Sequence, residues 1–343
     1  MRKHSAILLL LLSSITLHAQ NTPNVLFVGN SYIYTNNLPQ MVSDIATNMG
    51  DRMTYSANTP GGCTFMQHCS NQSMTMIQQG SWDIVVLQEQ SQLPSFRQWE
   101  VEQQCFPYAQ RLVDSIYANN PNAEPMFYMT WGRKYGDADN ARIFPVLSTY
   151  EGMDSMLYER YTYMAEAYHA SLCPVGRVWR HLRTNHPEIE LYASDGSHPS
   201  MAGTYAAACS FYVMFFHRDP DSISFSATLD EQKAQIIRNT VKTVVFDSLA
   251  FWRHNYPLCG IDTQKRQTTL TFYPNPASSF LTVKTATEIQ YFSIEDINGR
   301  TISTQHPSTK EFQIDIRQLL PGIYVIKALT NTGVISRPFI KQP

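Results

Sequence analysis

At 343 residues the chain has room for one large domain and a small one, and its net charge of −2 without a basic run argues against a nucleic-acid partner. Hydrophobic residues are an ordinary 43%, but charged residues are only 16%, against about a quarter in most soluble domains. Ser, Thr, Asn and Gln fill the deficit, which suits an exported protein better than a cytosolic one.

Residues 1–19 read as a secretory signal peptide. Arg2-Lys3-His4 is a basic start, Ala6 to Leu12 an apolar core, and Leu17-His18-Ala19 places a small residue before a cut at Gln20. The apolar stretch is short for a bilayer span, and no Cys follows the cut, which argues against a lipoprotein. Tyr205 to Phe216, the longest apolar run elsewhere, is also too short and reads as a buried helix.

From Asn24 to about Tyr256 strands and helices alternate. Val25-Leu26-Phe27-Val28 reads as a buried strand, and Leu38, Met41, Val42, Ile45, Ala46 and Met49 have the spacing of an amphipathic helix. Met53 to Ala57 is a short second strand ending at Gly61-Gly62, and Asp83 to Leu87 a third strand. A helix over Glu102 to Tyr117 precedes a strand at Pro125 to Met129. Ser148 to Leu172 reads as one long helix, Cys173 to Gly176 as a brief strand, and Ala202 to Phe216 and Glu231 to Trp252 as helices. Such alternation predicts a parallel sheet covered by helices on both faces, with its ligand site beyond the carboxyl ends of the strands. Ser31, Gly61-Gly62, Gln88 to Gln90 and Trp131 all follow strand ends.

Residues 257–269 read as a polar linker. Beyond it, short strands at Phe280 to Val283, Tyr291 to Ile297, Phe312 to Ile316 and Ile323 to Leu329, with turns at Asn298-Gly299 and Pro321-Gly322, predict a small β-sandwich over 270–343. The six cysteines (63, 69, 105, 173, 209 and 259) either pair after export, Cys63 with Cys69 being near enough for a small loop, or stay as buried thiols. No CxxC pair or His-x-x-x-His pattern points to a metal.

Two fragments carry chemistry. Gly29-Asn30-Ser31-Tyr32 holds a serine on the turn between a strand and a helix, and Asp195-Gly196-Ser197-His198-Pro199 offers a base and its orienting acid from one loop. Serine is a weak nucleophile until a neighbouring base takes its proton. Each fragment alone is an ordinary turn; their order on an alternating α/β chain, with strand-end glycines between them, makes one site.

With Gly61-Gly62-Cys63, Val85 to Ser91 and Met129-Thr130-Trp131-Gly132, these stretches resemble the SGNH/GDSL hydrolase superfamily over about Val25 to Phe216, and more narrowly a branch of it found in Bacteroidetes. The resemblance implies a flavodoxin-like, three-layer α/β/α fold and esterase chemistry without a cofactor. It implies Ser31 as nucleophile, His198 as base and Asp195 as orienting acid. It implies an oxyanion hole from the backbone N–H groups of Ser31 and Gly62 and a side-chain amide. The superfamily's usual Gly-x-Asn is replaced here by Gln88-Glu89-Gln90. Gln90 takes the asparagine's place; Gln88 is the alternative, because related sialate acetylesterases place a glutamine directly after the strand.

Other candidates have plain alternatives. Trp131 stacks on a sugar ring or packs on the sheet; His68 faces the site or lies on the surface. Glu89 binds substrate hydroxyls or orients an amide. Arg133 and Lys134 recognise an acidic sugar or are a solvated pair. At the C-terminus, Tyr273-Pro274-Asn275-Pro276, Asp296 to Arg300, Leu320-Pro321-Gly322-Ile323-Tyr324 and Lys341 resemble a type IX secretion sorting domain over about Leu270 to Pro343; a carbohydrate-binding module is the rival. The combined expectation is a protein exported through the type IX machinery, secreted or held at the cell surface, that removes acyl groups, acetyl above all, from carbohydrate. A lipase or thioesterase of the same mechanism, or a glycan-binding protein on the same fold, are the alternatives.

Overall fold

The structure is a computed structural model that describes residues 22–253, 270–285, 289–296, 301–305, 307, 309–330 and 333–342. The expected signal peptide, the polar linker, Cys259 and the Asn298-Gly299 turn lie outside the described residues. The chain divides into two compact units after residue 256.

The first unit opens with β1 (Asn24–Val28), α1 (Ser31–Tyr34), α2 (Leu38–Asn48) and β2 (Thr54–Asn58). Next come α3 (Phe65–His68), α4 (Gln72–Ile77), β3 (Ile84–Leu87), α5 (Gln98–Gln104), α6 (Phe106–Asn119) and β4 (Glu124–Tyr128). The last are α7 (Ala138–Ala141), α8 (Tyr150–Ala167), β5 (Ser171–Cys173), α9 (Val175–Asn185), α10 (Met201–Phe216), α11 (Glu231–Val244) and α12 (Leu249–Trp252). All five strands are parallel, in the order β2-β1-β3-β4-β5. One group of helices, α2, α9, α10 and α11, packs together, and a second group joins α3, α4, α5 and α8 to α6, giving the three-layer α/β/α architecture. Covered on both faces, the central strands are apolar without alternation: Val25 to Val28 and Val86-Leu87 have no exposure at all.

The strand order reverses at β1. The chain leaves β1 for β2 on one side and returns to β3 on the other, so the loops after β1 and β3 diverge and open a crevice at the carboxyl edge. Ser31 follows β1 and Gln88 follows β3. The topology alone brings those two segments to one place.

Several boundaries differ from expectation. The strand expected at 173–176 ends at Cys173, and Pro174 instead starts α9, whose Val175, Val178, Trp179 and Leu182 form the buried stripe of an amphipathic helix. The long helix expected over 148–172 stops at Ala167, because Ser171–Cys173 pairs with β4. The helix expected over 102–117 is two, α5 and α6, which meet at Cys105 with Pro107 in the first turn of the second. The last expected helix is likewise broken into α11 and α12. Cys63, Cys69, Cys105, Cys173 and Cys209 are buried free thiols.

The second unit is antiparallel: β6 (Leu270–Tyr273), β7 (Phe280–Thr285), β8 (Ile289–Asp296), β9 (Thr301–Gln305), β10 (Glu311–Asp315), β11 (Gly322–Thr330) and β12 (Gly333–Lys341). They form a sheet of order β10-β7-β6 and another of order β12-β11-β8-β9. Alternate residues of each sheet enter a common core: Leu281, Val283 and Ile314 from the first, Phe292, Ile294, Ile326 and Ala328 from the second. The strands β6, β9 and β12 were not expected from the sequence.

Candidate active site

The serine turn is built by its neighbours. Gly29 follows β1, and a Cβ there would stand 2.6 Å from both Gln88 Oε1 and Ile33 Cδ1, so only glycine lets the Gln88 side chain pass. Gln88 Oε1 then accepts the Asn30 N–H at 2.9 Å. Asn30 is the N-cap of α1: its Oδ1 accepts the Tyr32 N–H at 3.3 Å, while its Nδ2 donates to the Cys63 carbonyl at 3.0 Å. One asparagine thus starts the helix that carries Ser31 and ties down the loop that carries Gly62. Gly62 has φ +66°, a left-handed conformation that favours glycine. The backbone N–H groups of Ser31 and Gly62 have no hydrogen-bond partner among the described residues.

The second loop comes to meet this turn. His198 Nε2 lies 2.8 Å from Ser31 Oγ, and His198 Nδ1 lies 2.5 Å from Asp195 Oδ2. The other oxygen, Asp195 Oδ1, accepts the N–H groups of Ser197 and His198, each at 2.9 Å. Partial burial works to raise the Asp195 pKa, but these hydrogen bonds outweigh it and hold the carboxyl below the usual carboxylate range. An ionised Asp195 places the ring proton on Nδ1 and leaves the Nε2 lone pair for the serine hydroxyl. Asp195 and His198 are partly open to solvent, at 49% and 37% side-chain exposure.

Behind the imidazole stands a buried stack of rings. Tyr32 lies parallel to Trp131 with centroids 4.8 Å apart, and Trp131 parallel to Trp179 at 3.6 Å. The Tyr32 ring meets His198 edge-on at 5.5 Å. Tyr32 Oη hydrogen-bonds Ser197 Oγ at 2.8 Å, and the Trp131 indole donates to the Ser197 carbonyl at 3.1 Å. The stack therefore grips the loop on which Asp195 and His198 sit. Neither Tyr32 nor Ser197 stood out in the sequence, although both lie inside the two motifs.

Three of the expected ligand-facing residues are turned inward. Trp131 has no exposure and stacks on protein rings, so it does not present a face to a sugar. His68 is neither on the surface nor open to the site: it is fully buried, with Nε2 2.9 Å from the Gly29 carbonyl and Nδ1 2.8 Å from Ser73 Oγ. Burial lowers its pKa and favours the neutral ring that this bridge requires. Glu89 is also fully buried. Its carboxyl accepts the Phe65 N–H at 3.0 and 3.1 Å and the Gln90 N–H at 2.6 Å, which leaves it no path to substrate hydroxyls. Burial raises its pKa to about 8 despite those bonds.

The two glutamines differ as well. Gln88 has no exposure and spends its amide on the Asn30 N–H and the Glu89 carbonyl. Gln90 is partly exposed; its Oε1 accepts the N–H groups of Gln92 (2.8 Å) and Leu93 (3.0 Å), and its Nε2 donates to Gln92 Oε1 at 3.1 Å. An amide nitrogen carries two protons, so Gln90 keeps one N–H beyond the bond to Gln92. Among the described residues no group of three His, Cys, Asp or Glu side chains is arranged to hold a metal ion.

Residues 271–342 match the family model of the secretion system C-terminal sorting domain, which marks the chain for export. No curated protein matches the chain. Among solved structures it is similar to a DUF4886 family protein from Bacteroides uniformis, with TM-score 0.56 and 15% identity over 68% of this chain and 96% of that one. That likeness shows the fold. A GDSL-like lipase from Parabacteroides merdae (TM-score 0.43, 11% identity, 57% and 96% covered) and a family 3 carbohydrate esterase from Clostridium thermocellum (0.39, 14%, 56% and 94%) also match.

Proposed function

We propose that the first unit is a serine esterase that deacylates, and most simply deacetylates, carbohydrate esters outside the cell. The observation that carries this reading is the unbroken line from Ser31 Oγ through the His198 ring to Asp195, with hydrogen bonds of 2.8 and 2.5 Å. His198 Nε2 takes the hydroxyl proton as Ser31 Oγ attacks the ester carbonyl. The negative charge on the former carbonyl oxygen is met by the N–H groups of Ser31 and Gly62, and by the remaining N–H of Gln90. As the tetrahedral adduct collapses, the ester C–O bond breaks and His198 gives its proton to the leaving sugar oxygen. Water, deprotonated by the same nitrogen, then releases the acid and restores Ser31. Asp195 keeps the ring in the right tautomer and steadies the imidazolium.

The sugar part of the reading rests on what flanks the triad. Tyr34, one turn after Ser31, is 53% exposed, and its hydroxyl lies 3.5 Å from where a Gly61 Cβ would stand. Tyr135 is 78% exposed and borders Gly196 in the Asp195 to His198 loop. Exposed tyrosines beside Gly61 and beside the Asp195 to His198 loop suit the apolar faces of sugar rings better than a long acyl chain. Export through the type IX machinery, directed by the C-terminal domain after a signal peptide, places the enzyme where such polymers are found.

The test is hydrolysis of p-nitrophenyl acetate by the mature protein against its Ser31→Ala variant. A fall of roughly 10⁴-fold or more in kcat supports the reading. Equal, slow rates leave a glycan-binding protein on a hydrolase fold.

A further inference from the structure

Beyond β4 the chain runs alongside the Asp195 to His198 loop. Trp131 donates to the Ser197 carbonyl at 3.1 Å, and the Lys134 N–H donates to the Gly196 carbonyl at 2.8 Å. Arg133 sits between these two contacts. On the other side, its near neighbour Asp137 is hydrogen-bonded to Gln92, which in turn binds Gln90. Arg133 therefore lies, in the loop after β4, between contacts to the loop with the base and contacts to the loop with the glutamines.

The two adjacent cations are used differently. Lys134 Nζ is 2.5 Å from Glu190 Oε2, so its charge is already matched. Arg133 has only a looser ion pair, with Asp137. The nearest Asp137 oxygen is 3.8 Å from Arg133 Nη1, too far for a hydrogen bond. Asp137 is itself buried and takes its bonds from Gln92 Nε2 at 2.6 Å and Asn140 Nδ2 at 2.8 Å instead. Arg133 Nε is buried with no partner among the described residues, while the side chain as a whole is 31% exposed. Its positive charge also reaches the Tyr32 phenol, the group that bonds Ser197; there it works against the rise in pKa that burial causes. A partly exposed guanidinium with unspent donors, within electrostatic reach of the Tyr32 that follows Ser31, is a fork shaped for a carboxylate.

We propose that Arg133 binds a substrate carboxylate, so that the alcohol part of the ester is a uronic acid residue whose carboxylate docks on Arg133 while its acyl group lies over Ser31. This inference rests on the esterase reading above and narrows its substrate to acidic polysaccharide. Lys134, held by Glu190, takes no part.

The experiment uses an O-acetylated oligogalacturonate and the same oligosaccharide with its carboxyl groups reduced to alcohols. Calorimetry on the Ser31→Ala protein, which holds the ester uncleaved, is expected to show the acidic form binding about tenfold tighter or better. Adding Arg133→Gln is expected to erase the difference, and Arg133→Lys to keep part of it. In turnover, the ratio of kcat/KM between the acidic and reduced substrates is expected to fall toward one in Arg133→Gln, through KM more than kcat. Equal binding of the two forms, or an equal loss on both in Arg133→Gln, overturns the proposal. Wild-type hydrolysis of p-nitrophenyl acetate separates the two levels. Turnover without the acidic preference defeats the Arg133 assignment alone, whereas the preference without turnover defeats the esterase reading and leaves Arg133 as a carboxylate-binding residue.

Discussion

The loop at Asp195 to His198 and the loop at Gln88 to Gln92 border the same crevice and are equally polar, yet their side chains are used in opposite ways. In the first, Asp195 and His198 stay partly exposed and reach each other and Ser31. In the second, Gln88 and Glu89 are wholly buried and spend their oxygens on the backbone of Asn30, Phe65 and Gln90. A wholly buried polar side chain whose bonds go to backbone groups is scaffold; one at the solvent edge that also reaches another side chain, as Asp195 reaches His198, remains available for chemistry. Burial decides between them, and a strand-end glutamine or glutamate looks the same in sequence either way.

Substitutions in the two loops should separate chemistry from scaffold. The largest effect is expected in the first loop. His198→Ala should lower kcat on p-nitrophenyl acetate by roughly 10⁴-fold, and Asp195→Asn by a similar order through the wrong tautomer, both with an unchanged melting temperature. A melting temperature that falls with activity would mean that this loop, too, is scaffold. In the second loop Gln90→Ala should cost about 10²-fold in kcat with little change in KM, as the loss of one oxyanion donor does. An unchanged kcat would assign the charge stabilisation to the Ser31 and Gly62 amides alone.

Gln88→Ala should act on stability first, by about 1–3 kcal/mol, because it leaves the buried Asn30 N–H unpaired. Denaturant unfolding measures this directly. Glu89 adds a pH dependence. Its folded pKa of about 8 lies above the ordinary carboxyl value of 4.5, so the fold holds the proton more tightly than the unfolded chain does. The resulting stability is fully present below pH 4.5 and is lost as pH rises through 8. Glu89→Gln should flatten that decline in melting temperature between pH 5 and 9; a parallel decline in both proteins would remove Glu89 as its cause. The smallest effect is expected at Trp131→Phe, which keeps the ring stack but loses the bond to Ser197, at about 1 kcal/mol of stability.

The same contrast explains what was legible in the chain. Val25 to Val28 and Tyr205 to Phe216 announce a buried strand and a buried helix because they are apolar without a break, and the parallel sheet follows from the alternation. The Ser31 turn and the Asp195 to His198 loop were legible because their residue types and spacing meet a chemical requirement. The helix after Pro174 was missed because the short strand and the helix share one apolar run. Trp131, His68 and Glu89 were misplaced because their partners are backbone groups and rings far away in sequence: the Gly29 carbonyl, the Phe65 N–H, Trp179. Asn30 carried a usable signal, since an asparagine just before a helix is a cap; its second bond, to Cys63, left none.

The central claim is that Ser31 is the nucleophile and His198 activates it. The most direct measurement is covalent labelling by a fluorophosphonate, which forms a bond to an activated serine oxygen as fluoride leaves, followed by mass spectrometry of the digested protein. One adduct on the Ser31 peptide is expected, with labelling lost in His198→Ala. An unlabelled Ser31, or a label on another residue that abolishes hydrolysis, would contradict the claim.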